Sequence, residues 1–160
     1  MSAVTQTSVT PALRIIEFEI PIGLPLLNEM LRMRDHERMR HKRRISDAVH
    51  AQVLPIMCRQ EGLAKWKPMR HCRITVEMHR PGRPDWDGMV VKYLLDALVV
   101  RTGRNPRGCG LIDDDSQDCI VECPQIVPVC TGRGGTSLTR VRVEEVWINE
   151  SSSQRAAGRC

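Results

Sequence analysis

Hydrophobic positions along the chain change period several times, and each change marks an element. In LRIIEFEI the apolar Ile16, Phe18 and Ile20 alternate with Glu17 and Glu19, the period-two signature of a half-buried strand. After the turn-like PIGLP, a segment from about Asn28 to Gln60 places Ile45, Val49, Val53 and Ile56 at helical spacing. This predicts a long helix that Pro55 kinks or shortens. RHCRITVEMHR returns to period two, with Cys72, Ile74, Val76 and Met78 against Arg73, Thr75, Glu77 and His79. PGRP then breaks the chain, and GMVVKYLLDALVV predicts an apolar, buried helix of about a dozen residues. CIVECPQIVPV and LTRVRVEEVWI are rich in β-branched residues and predict two more strands. Pro124 and Pro128 make the first of these an edge or irregular strand.

The order is strand, helix, strand, helix, strand, strand, without an internal repeat. It predicts a single α/β domain over residues 13–148, with a mixed or antiparallel sheet packed with helices. The flanks, residues 1–12 and 149–160, are small and polar without periodicity and are expected to be loose tails. A chain of 160 residues has room for one modest core and little more. No apolar run approaches the roughly 18 residues of a membrane span, and no basic start leads into an apolar stretch. The chain therefore reads as soluble, unexported and cytoplasmic.

Charge and cysteine narrow the picture further. Lys and Arg outnumber Asp and Glu by 24 to 19, and the excess is mostly Arg, whose planar fork suits phosphate. Arg32, Arg34, Arg38, Arg40, Lys42, Arg43 and Arg44 crowd one stretch, and Arg101, Arg104 and Arg107 follow the second helix. Either group is a solvated face or a surface for nucleic-acid phosphates. The 7 cysteines contain no CxxC pair and read as mostly reduced core thiols. Cys119, Cys123 and Cys130 lack regular zinc-finger spacing, leaving a zinc site only as the minor alternative.

The chemistry concentrates in acids. Asp85 and Asp87 are two apart, so an extended backbone turns both carboxylates to one side, close enough to share a hard cation. The competing explanation is that Asp87 caps the following helix. A second cluster, Asp113, Asp114 and Asp115, comes directly after the apolar Gly110-Leu111-Ile112, at the mouth of the next predicted strand. Three adjacent acids repel one another unless a turn solvates them or a divalent ion neutralises them. Lys92 lies four residues before Asp96, a spacing that permits an ion pair on one helix face. The alternative use of Lys92 is contact with a scissile phosphate.

RPDWDGMVVKYLLDAL followed by GLIDDDSQ resembles the RusA family of Holliday-junction resolvases, whose motif has two aspartates, a lysine, an aspartate-alanine-leucine helix and a DDxQ-type run. LPLLNEMLRM is similar to the family's proline-rich, Asn-containing turn after its first strand. Together these cover roughly residues 13–147 and imply a RusA-like endonuclease domain. By this resemblance Asp85, Asp87 and Asp115 are the metal-binding aspartates, Lys92 is the catalytic lysine, and Asp114 and Asp96 lie just behind them. The departures are Gly88 in place of an Asn, one residue inserted before Lys92, a longer loop from Val99 to Gly110, and Pro84 where a basic residue is usual. Arg83 is placed to take over that last role.

What the resemblance implies is a homodimer that binds a four-way junction and, with Mg²⁺ or Mn²⁺, nicks two strands of like polarity, leaving 5′-phosphate and 3′-hydroxyl ends. The rival from another class is a non-catalytic branched-DNA-binding protein on the same fold. A phosphatase reading of DWDG as a haloacid-dehalogenase-like DxD fits poorly, because HRPGRP is no apolar strand and more than half the chain precedes it.

Overall fold

The computed structural model describes residues 13–82 and 91–147. Strand β1 (Ile15–Ile20) is followed by helices α1 (Leu27–Arg32) and α2 (Asp35–Gln60), strand β2 (Cys72–Arg80), helix α3 (Lys92–Leu98), and strands β3 (Gln125–Cys130) and β4 (Leu138–Glu145). The strands form one mixed sheet in the order β1-β4-β2-β3. β4 is antiparallel to both β1 and β2, while β3 runs parallel to β2.

Alternation decides which face of the sheet is buried. Ile16, Phe18 and Ile20 from β1, Cys72, Ile74, Val76 and Met78 from β2, and Val141 and Val143 from β4 all enter the core. Against them packs the apolar stripe of α2, Ile45, Val49, Val53 and Met57, at intervals of four residues. Leu94, Ala97 and Leu98 of α3 join the same cluster. The opposite face of the sheet carries cross-strand ion pairs, Glu17 with Arg142 and Glu19 with Arg140, directly opposite each other in the register.

Three sequence expectations are modified. The long first helix is two helices, because the backbone is extended at Met33 and Arg34; a new N-terminus forms there, with the Glu37 carboxylate accepting the Arg34 amide at 2.7 Å. Pro55 does not shorten α2, which runs five residues past it. Over the described residues α3 is seven residues long rather than a dozen, since Val99 leaves the helix to bridge Ile112. The expected strand from Cys119 begins as a regular strand only at Gln125, and before it Ile120 makes a single bridge to Cys72. As expected for a strand containing Pro128, β3 lies at the sheet edge, where a missing N–H is tolerated. The expected tails, and residues 83–90 with Arg83, Asp85 and Asp87, lie outside the described residues.

The short helix α1 is fixed by one acid used twice. Glu29 accepts the Leu26 amide at 2.8 Å and pairs with Arg80, at the end of β2, at 2.8 Å. Burial pulls its pKa upward, but the bonds from Arg80 and the Leu26 amide outweigh this and leave it below the ordinary carboxylate value.

Candidate active site

The acidic run emerges from the core at a point that the backbone fixes tightly. After α3 the chain loops out over residues 100–107 and returns beneath its own exit. Cys109 donates to Ala97 O at 2.8 Å, Gly110 to Val99 O at 3.1 Å and Leu111 to Leu98 O at 2.9 Å. Gly108 makes the return possible, because a Cβ there would stand 2.0 Å from the Val99 carbonyl oxygen. On the other side Met69 donates to Leu111 O and Asp113 donates to Met69 O, both at 3.0 Å. Leu111 and Ile112 are fully buried, and Asp113, Asp114 and Asp115 follow them into solvent. Amides of Cys119 and Ile120 then close the turn on Ser116 O. The run thus follows a β-bridge and ends in a turn, rather than opening directly into a strand.

A chain of alternating charges crosses this point. Lys42 of α2 places its Nζ 2.6 Å from Asp96 Oδ2, and Lys92 places its Nζ 3.0 Å from Asp96 Oδ1. The same Lys92 ammonium lies 3.0 Å from Asp115 Oδ2. Both readings of Lys92 therefore have a geometric counterpart: the i, i+4 pair exists, and the ammonium also reaches the acidic run. Desolvation raises the Asp96 pKa, but hydrogen bonds from Lys42 and Lys92 more than reverse this and hold it below the ordinary value. Lys92 is pushed upward, chiefly by its hydrogen bonds to Asp96 and then Asp115. Its side chain is 64% exposed, so it is held lightly and remains open to a ligand.

Other expected residues are distributed unevenly around this chain of charges. Asp113 and Asp114 are exposed beside Asp115. Lys42 belongs to the charge chain rather than to a free basic face. Arg38 donates to Met30 O, Arg101 to Pro106 O, and Arg107 pairs with Asp47 at 3.3 Å while its carbonyl accepts the Ser46 hydroxyl. Arg32, Arg34, Arg40, Arg43, Arg44 and Arg104 are exposed and make no ion pair among the described residues.

Two relationships here carried no sequence signal. Lys42 and Asp96 are 54 positions apart, and nothing in the basic run distinguishes Lys42 from its neighbours. The Cys72 amide donates to Cys119 O at 2.7 Å, and the Cys119 thiol donates to Met69 O at 3.4 Å. Its closeness to Cys119 and its burial push the Cys72 thiol upward, so it stays protonated in the core. The expectation of core thiols holds for these two, whereas Cys58, Cys123 and Cys130 are exposed and Cys109 is half-buried.

Among the described residues no three His, Cys, Asp or Glu side chains converge to hold a metal ion. Asp115 does have the chemistry of one hard oxygen ligand, since its second oxygen makes no hydrogen bond among the described residues. No helix among those residues is long and apolar enough to cross a membrane. In comparisons with known proteins, no family model matches the chain and no curated protein matches it.

Proposed function

We propose that this chain is a metal-dependent endonuclease of the RusA type, resolving four-way DNA junctions by paired, symmetric nicks. The observation that carries this reading is the Lys92 bridge, in which one ammonium joins Asp96, four residues on, to Asp115, 23 residues on. A solvated acidic turn has no need of such a cation, whereas a centre built from the motif's lysine and its last aspartate requires the two to meet.

In this reading Asp85, Asp87 and Asp115 would hold Mg²⁺, or Mn²⁺ in its place, which when bound would supply an activated water and neutralise charge developing on the phosphate. Lys92 exchanges its contact with Asp115 for a phosphate oxygen and stabilises the transition state there. Asp96, neutralised on its other oxygen by Lys42, keeps that ammonium within reach without burying it. Water attacks phosphorus and the 3′ oxygen leaves, giving 5′-phosphate and 3′-hydroxyl ends. The basic residues of α2 other than Lys42, and those of the loop Arg101–Arg107, hold backbone phosphates against the repulsion of the acids. Two such sites, related by the two-fold axis of a homodimer, match the two-fold symmetry of the junction.

The test is a synthetic four-way junction, labelled on each strand in turn and incubated with Mg²⁺. Paired nicks in opposite strands of like polarity are expected, abolished by EDTA. Absence of nicks across pH and metal conditions overturns the reading; tight junction binding without nicks would transfer it to a non-catalytic binder.

A further inference from the structure

A cavity of about 330 Å³ opens between the segment leading into β2 and the end of β4, lined among others by Lys67, Arg70, His71, Glu145 and Trp147. Its volume is at the lower end of the range for small-ligand sites. Trp147 is 61% exposed, so one of only 3 tryptophans in the chain spends its ring on the surface. A single exposed apolar side chain is ordinary. The company of this one is not.

The floor of the cavity is electrically settled. Arg14 grips Glu145 with two bonds, Nε to Oε2 at 2.7 Å and Nη2 to Oε1 at 2.6 Å, and its guanidinium lies over the Trp66 ring at 4.7 Å. Glu145, the one acid lining the cavity among the described residues, is therefore neutralised. At its edge, Lys67 and Arg70 are exposed and make no ion pair among the described residues. His71 donates from Nδ1 to Asp118 O at 2.8 Å, which fixes its ring and leaves Nε2 without a hydrogen bond among the described residues. Cations without partners beside an exposed indole are the composition that tracks a phosphate backbone while stacking a base.

Position gives the cavity its use. Residues flanking Arg70 also pin the acidic run, since Asp113 donates its amide to Met69 O and His71 bonds Asp118 O. We propose that this cavity binds a single-stranded segment of DNA, one base stacked on Trp147 and the flanking phosphates held by Lys67 and Arg70. The choice of DNA rests on the nuclease reading; the binding itself is measured without cleavage.

The experiment titrates the full chain with a short fluorescein-labelled oligothymidylate in EDTA. Trp147→Ala is expected to weaken binding about tenfold and Trp147→Phe to retain most of the affinity. Arg70→Ala is expected to lower the slope of log K against log salt by about 1. An unchanged affinity in Trp147→Ala, with an unchanged melting temperature, overturns the proposal. So does a loss that sedimentation traces to dissociation of a dimer, which would make this face an interface between copies. Wild-type junction nicking alongside an inert Trp147 would remove this proposal alone, and Trp147-dependent binding without nicking would remove the nuclease reading alone.

Discussion

Lys42 and Asp96 sit on different helices, 2.6 Å apart, with side chains only 31% and 17% exposed, and they are the innermost link of the charge chain that ends at Asp115. A half-buried pair of this kind matters mainly through what its loss leaves behind. Lys42→Met keeps the aliphatic stem but leaves Asp96 with Lys92 as its one cation among the described residues, and should lower stability by about 1–2 kcal/mol in urea denaturation. Asp96→Asn in the Lys42→Met background should cost less than in the wild type. Strictly additive losses in that double-mutant cycle would mean that the two side chains do not interact in solution.

Stability should also respond to acid in a definite direction. Asp96, Glu29 and Glu145 are each held below the ordinary carboxylate value, Asp96 and Glu29 by hydrogen bonds that outweigh burial, and Glu145 first by its bond from Arg14. The unfolded chain therefore binds protons at a higher pH than the folded one does, and stability rises with pH across that range. The contribution of these groups is complete above the ordinary carboxylate range and is lost as pH falls below about 4. Urea midpoints measured from pH 3 to pH 6 should climb and then level off. A Lys42→Met protein should show a shallower climb, and an identical profile would remove Asp96 from the account.

What the chain declares about itself follows from how local each feature is. The strands β1 and β2 were legible because period-two alternation is written within a few residues, β4 because β-branched residues fill it, and the apolar stripe of α2 because it repeats every turn. The break at Met33 and Arg34 was not, since charged residues surround it and no Gly or Pro marks it. The run Asp113–Asp115 was visible as a cluster, but its meeting with Lys92 depends on how residues 100–110 fold back, which no short-range pattern encodes. The same holds for Trp147 and Arg70, neighbours across a cavity but distant in sequence.

That fold-back makes Gly108 a sensitive position. A Cβ placed there would meet the Val99 carbonyl oxygen at 2.0 Å, and carbons of Val99 and Val100 at 2.9 and 3.0 Å, all of them backbone atoms. The backbone itself must move, so Gly108→Ala should destabilise by at least about 2 kcal/mol, more than the usual effect of overpacking by one methyl group. Gly103, in the same loop with nothing near its hypothetical Cβ, supplies the control: Gly103→Ala should leave the melting temperature within about a degree. If both substitutions are equally mild, the loop is not seated against α3 as described.

The nuclease reading separates the two ends of the Lys92 bridge. Asp115→Asn removes a metal-ligating carboxylate and one negative charge near the phosphate path, so nicking should disappear while junction affinity stays equal or increases. Lys92→Ala removes only a cation that is largely exposed and anchors nothing in the core, so the melting temperature should hold while kcat falls by about 10²–10³. Lys92→Arg should recover little of that, because a planar fork cannot reproduce the point contact of an ammonium set between two carboxylates. Single-turnover cleavage at saturating protein isolates the chemical step from binding. A Lys92→Ala protein that cuts at the wild-type rate would reduce the bridge to a surface ion pair, and loss of junction binding in Asp115→Asn would show that the carboxylate shapes the loop rather than the reaction.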